Sequence, residues 1–102
     1  MTHQNILEIL KIDLQISAAA YDEYLGKLIE LAKKSIEREG ITLEITGGSE
    51  ESPEYGQEDG MLIEMYAAFL YRKRKETNVP MPRMLRYALN NKLFQQKAKE
   101  NE

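Results

Sequence analysis

Apolar positions recur at helical spacing over most of the chain and alternate over one short stretch. Ile6, Ile9 and Leu10 share one face, which predicts a first helix over about 5–12. Asn5 is placed to cap it, with Glu8 three residues on reaching back. So short a helix is marginal alone and must dock. Tyr21, Leu25, Leu28, Ile29, Ala32 and Ile36 make a long amphipathic stripe, predicting a second helix over 18–39. Ser17 or Asp22 serves as its N-cap, and Asp22 and Glu23 suit the positive end of the helix dipole. Lys27, Glu30, Lys33, Lys34, Glu37 and Arg38 form its solvated face, where Glu30 and Lys34 are a favourable i,i+4 pair. Gly40 stands where a left-handed residue ends a helix, and Ile41 can fold back on the last turn.

The third helix, predicted over 58–76, is the organising one. Between Met61 and Tyr71 only Glu64 is charged. Such a stretch is about 16 Å long, roughly half a bilayer core, so it does not span a membrane. A helix apolar on nearly every side needs cover on nearly every side, from the other helices or from a neighbouring subunit. Glu64 is expected at its solvent-facing position; if covered, it needs a cationic or hydrogen-bonding partner. Asn78-Val79-Pro80 ends this helix, and Pro82 suits the first turn of a fourth over 82–97. Met81, Leu85, Ala88 and Leu89 form its inner face, with Met84, Leu93 and Phe94 nearby, and Asn90-Asn91 weakens its middle. Residues 41–46 alternate apolar and polar and read as an extended segment or short strand. No second strong strand is visible inside the subunit, so the segment lies across the helices or pairs with its copy in a neighbour. Residues 47–57 form a loop rich in Gly, Ser, Pro and acids, of a length that is usually functional or disordered. The expected fold is all-α, a small bundle of about four helices with a long acidic loop between helices 2 and 3.

A chain of 102 residues fits one domain, residues 1–102, with a thin core. The net charge of −3 is modest, but its distribution is uneven. Residues 44–64 hold seven acids and no Lys or Arg; residues 72–99 hold nine bases against the single acid Glu76. The plain reading is two solvated surfaces; the functional one is self-complementary packing between subunits, or a docking surface. There are no cysteines, which leaves no disulfide framework and no thiolate metal site. The first residues carry no signal-peptide pattern, and the protein is expected to be cytosolic where it is made.

Catalysis finds little support. His3 is the only histidine, no HExxH, G-x-S-x-G or phosphate-loop pattern occurs, and Gly47-Gly48 has no Lys-Ser/Thr behind it. The acidic loop lacks the spacing of an EF-hand. The expectation is no enzyme, no cofactor and no metal. Arg72-Lys73-Arg74-Lys75, with Arg83 and Arg86, can form a nucleic-acid patch, but on a helix the four point about 100° apart. Tyr66 and Tyr71 read as core and edge aromatics, and the tyrosines in general suit an assembly interface.

Two halves of the chain carry a resemblance. The first is the short opening helix, then Tyr21-Asp22-Glu23-Tyr24-Leu25 beginning a long helix that ends Ile36-Glu37-Arg38-Glu39-Gly40-Ile41. The second is residues 58–74, followed by Met81-Pro82-Arg83-Met84-Leu85-Arg86-Tyr87-Ala88-Leu89-Asn90-Asn91. Together they resemble the head–tail connector (portal adaptor, head-completion) proteins of long-tailed phages and prophages. The resemblance implies a non-enzymatic structural virion protein forming a closed ring of about a dozen copies. Its partners would be itself, the portal protein above, and the next head-completion or tail-terminator protein below. DNA would pass through the channel without sequence-specific binding, and no membrane is involved. The place would be the head–tail junction, reached by assembly in the cytoplasm of a bacterial host. Opposite charge on separate parts of one subunit suits the head-to-tail contacts that close rings. Candidate subunit-interface residues are Glu58, Asp59, Glu64, Tyr71, Arg72, Arg74, Arg83 and Arg86; candidates for portal or tail contact are Lys92, Phe94, Gln95 and Lys97. The alternative is a small helical DNA-binding or regulatory protein using the basic region 72–86, and a third is a helical bundle without such a role.

Overall fold

Thr2, rather than Asn5, caps the first helix, α1 (His3–Leu14). The Thr2 hydroxyl accepts from the Asn5 N–H at 3.2 Å, and the Asn5 side chain accepts from the Thr2 N–H at 3.0 Å. Asn5 is therefore the third residue of a capping box, and the reach expected of Glu8 belongs to Asn5. The helix ends on Gln15, which takes a left-handed backbone (φ 58°) normally left to glycine. This computed structural model describes residues 1–74, 76 and 78–100.

A single 3-10 turn (Ala19–Tyr21) leads into α2 (Asp22–Arg38), so the second helix begins later than 18. Neither Ser17 nor Asp22 caps it: Tyr21 occupies the cap position without a side-chain bond. The predicted stripe is otherwise observed, with Leu25, Leu28, Ile29, Ala32 and Ile36 all buried and Tyr21 left exposed. Gly40 takes the left-handed backbone expected of it, at φ +95°, and Ile41 is buried in the core.

The segment after Ile41 finds its strand partner within the subunit. β1 (Ile45–Gly48) pairs antiparallel with β2 (Pro53–Tyr55), with an irregularity between Ile45 and Gly47. Part of the expected loop is thus a small hairpin. Gly48 turns its corner at φ +78°. Tyr55 anchors the hairpin to the bundle: its N–H donates to the Met1 carbonyl at 2.8 Å, and its own carbonyl accepts from the Met1 nitrogen.

α3 (Gln57–Lys73) is shorter than expected and ends before Asn78. Leu62, Ile63, Ala67, Ala68 and Phe69 are buried, and Met61, Met65, Tyr66, Leu70 and Tyr71 are half-buried. The cover this apolar helix needs comes mostly from α2 and α1, and only lightly from α4 (Arg83–Glu100). Each fully buried Leu or Ile contributes about 1.5–3 kcal/mol, so the α1–α2–α3 interface dominates stability. Gly60 lies under Met1, whose Cβ is 2.7 Å from where a side-chain carbon would stand. α4 docks through Leu85 and Leu89, while Ala88 is half-buried. The outcome is a small helical bundle with one hairpin, measuring 47 × 35 × 18 Å.

Candidate functional site

Charged and polar groups fall into buried clusters that hold the subunit together and exposed groups that do not. Glu64 belongs to the first kind. It is 2% exposed, so it is not the solvent-facing position of α3. Burial pushes its carboxyl up to about 8, and the hydrogen bond and negative charge of Asp13 push in the same direction, while Arg72 opposes them. Its Oε1 has no hydrogen-bond partner. Asp13, at the end of α1, accepts in turn from Arg72 at 3.3 Å. The arrangement stores a proton inside the bundle.

Asp59 is the second buried acid, at 3% exposure. Its Oδ2 accepts from the Glu44 N–H at 2.9 Å, and the Lys92 ammonium lies 2.8 Å from Oδ1. Burial pulls the Lys92 pKa down, but the hydrogen bond and charge of Asp59, with Glu58 and Glu44 behind, raise it on balance. One ion pair thereby ties α4 to the N-terminal end of α3 and to the entry of the hairpin. Asp59 and Glu64 both lie inside the subunit and offer no surface to a neighbour, which corrects their place among the interface candidates.

Most of the basic region is also engaged internally. Arg74 lies over two rings, 5.0 Å from Tyr24 and 4.9 Å from Tyr71, and its pKa is raised chiefly by a hydrogen bond with Tyr24. Arg86 reaches Glu39 at 3.0 Å and Met81 at 3.3 Å. Lys75 lies outside the described residues. Lys33, expected on the solvated face of α2, is 8% exposed: its ammonium bonds Glu30 at 3.1 Å and lies 5.0 Å from the Tyr55 ring. The hairpin covers it, and no local signal marked it.

A different set stays open. Glu58, Arg83, Gln95 and Lys97 are exposed, and none of these four makes an ion pair among the described residues. Phe94 is 79% exposed and Met84 75%, so neither belongs to the inner face of α4, where the sequence pattern placed them nearby. Tyr87 joins them at 58%. Sequence reasoning missed Tyr87, although the spacing 84, 87, 94 was there to be read as a second apolar face. A cleft of about 300 Å³ between α3 and α4 is lined by Met61, Met65, Ala88 and Gln95. Among the described residues no group of three or more His, Asp or Glu is placed to hold a metal ion, and no helix is long and apolar enough to cross a membrane. Comparison with protein-family models, with curated proteins and with solved structures gave no match.

Proposed function

We propose that this chain is a structural adaptor of the head–tail connector kind, acting by assembly into a ring beneath a phage portal rather than by catalysis. The observation that carries the reading is the segregation of open surface on a thin helical slab. The hairpin presents exposed Glu50, Glu51 and Glu54, while α4 presents exposed Arg83, Lys97 and Lys99 beside bare apolar side chains. Unlike surfaces on one subunit favour head-to-tail contacts, and those generate rings when the rotation closes. The resemblance of residues 21–41, 58–74 and 81–91 to connector proteins points the same way.

The nucleic-acid reading has less behind it. Arg72 and Arg86 are neutralised by Asp13 and Glu39, and Arg74 is stacked on tyrosine rings. Among the described residues from 72 to 99 that leaves Lys73, Arg83, Lys97 and Lys99, spread over two helices, as the exposed bases without an ion pair for phosphate contacts.

Light scattering across a concentration range, alone and with purified portal protein, tests the proposal. The expected outcome is growth toward a closed oligomer, or capture as a ring on portal. A chain that stays monomeric and ignores portal, yet binds duplex DNA with steep salt dependence, overturns it in favour of the nucleic-acid reading.

A further inference from the structure

α4 has two apolar faces, and only one is used. The inner face carries Leu85 and Leu89 into the core, Lys92 to Asp59, and Gln96 to the Gly40 carbonyl and the Thr42 N–H, at 2.9 and 2.8 Å. On the opposite side stand Met84, Tyr87 and Phe94, with Asn91 and Ala98 in line. At 3.6 residues per turn these five positions fall within an arc of about 80°. Their spacing of three, four, three and four is that of a helical packing seam. From their exposures and the usual side-chain areas, the three large groups present on the order of 400 Å². That is about half of what one partner contributes to a standard interface. The remainder must come from a polar rim.

The rim decides the partner. Arg83, Asn90 and Lys97 border the stripe on one side; Ala88 and Gln95 border it on the other, where Glu58 of α3 lines the same cleft. Two α4 helices packed on each other in the antiparallel sense set Arg83 against Lys97. An acidic partner fits the Arg83 and Lys97 side better, and the chain itself carries one. The hairpin exposes Ile45 at 61% near its base, and Glu50, Glu51 and Glu54 along its turn and second strand. Among the described residues, neither these three acids nor Arg83, Lys97 and Lys99 make an ion pair. The hairpin cannot serve its own α4, because the inner face of α4 meets the 40–44 segment and Asp59, and the stripe points away from both.

We infer that the Met84–Tyr87–Phe94 stripe of α4, rimmed by Arg83 and Lys97, receives the β-hairpin of a second copy of this chain through Ile45 and Glu50, Glu51 and Glu54. Each copy then keeps one free hairpin and one free stripe, so the contact repeats around a ring. The inference deepens the connector reading and rests on it, but it is tested separately.

The chain has no cysteine, so single cysteines report the contact cleanly. Ile45→Cys and Tyr87→Cys variants, one carrying an affinity tag, are mixed under mild oxidation and resolved on a non-reducing gel. The expected product is the mixed disulfide, in excess over either self-disulfide. Adding Arg83→Glu and Lys97→Glu to the Tyr87→Cys chain should lower its yield about tenfold, and Glu50→Lys with Glu51→Lys on the other chain should recover it. All these positions are exposed, and circular dichroism checks that the fold is kept. A dominant Tyr87→Cys self-disulfide means α4 pairs with α4 and overturns the inference. No mixed disulfide above that of an Ser17→Cys control overturns it as well, whatever the mass in solution. If light scattering still finds rings in that case, the connector reading stands and the contact lies elsewhere. If it finds monomers that portal does not capture, both fail.

Discussion

Raising the pH from 5 to 8 is expected to weaken this bundle, and Glu64 is the group responsible. Its carboxyl is 2% exposed, beside Asp13, and titrates at about 8 in the folded chain against an ordinary value of 4.5. The folded state therefore holds a proton that the unfolded chain has released. The stability from this group is fully present below pH 4.5 and is lost as pH rises through 8. At 1.36 kcal/mol per pKa unit the whole span is worth about 5 kcal/mol, of which about 3 kcal/mol falls between pH 5 and pH 8. Domains of this kind are stable by roughly 5–15 kcal/mol in total, so the change is large enough to see. Urea unfolding followed by circular dichroism, at pH values from 5 to 8, measures it as a falling midpoint at constant m. In Glu64→Gln the group stays neutral, so the slope should flatten and the variant should become the more stable protein at pH 8. Asp13→Asn removes the neighbouring negative charge and should make the slope shallower. Parallel pH profiles for the original chain and Glu64→Gln would refute the reasoning, because Glu64 would then titrate alike in both states.

Three further outcomes are expected from single sites. Lys92→Met leaves the Asp59 carboxylate buried without its cation and should cost about 3 kcal/mol in urea unfolding; Lys92→Met with Asp59→Asn should cost less than the single change. Gln15→Gly relieves the left-handed backbone at the end of α1 and should raise stability by about 1 kcal/mol, with no effect on the helix content. Gly48→Ala drives a side-chain carbon into the Ser52 carbonyl at a positive φ. It should unravel the hairpin, seen as faster amide exchange at Tyr55 and exposure of Lys33, while α1 and α2 keep their protection.

Some elements were readable because their cause is local. The α2 stripe from Leu25 to Ile36 repeats with the helix period, and Gly40 and Ile41 close it by a motif complete within a few residues. The existence of α1, α3 and α4, and the all-α class, follow from the same kind of pattern. The first cap was misplaced only by choosing Asn5 where Thr2 and Asn5 share the task. In α3 the period is weak because nearly every side is apolar, so nothing local distinguishes a covered Glu64 from an open one. Pro53–Tyr55 is too short to announce itself as a strand. Its pairing with β1 rests on Gly48 turning the corner and on Met1 holding Tyr55 from the far end of the sequence.

Sequence by itself therefore determined the helices, their approximate reach, the thin core and the separation of acidic from basic segments. Tertiary structure alone decided which charges are spent. Asp13 and Arg72 are 59 positions apart, and Asp59 reaches Lys92 across two helices. It also left Met84, Tyr87 and Phe94 outside, although α4 is apolar on both faces. The physical reason is range. Helix formation depends on neighbours within four residues. Burial of a charge depends on partners from distant parts of the chain, brought close only once the bundle has packed.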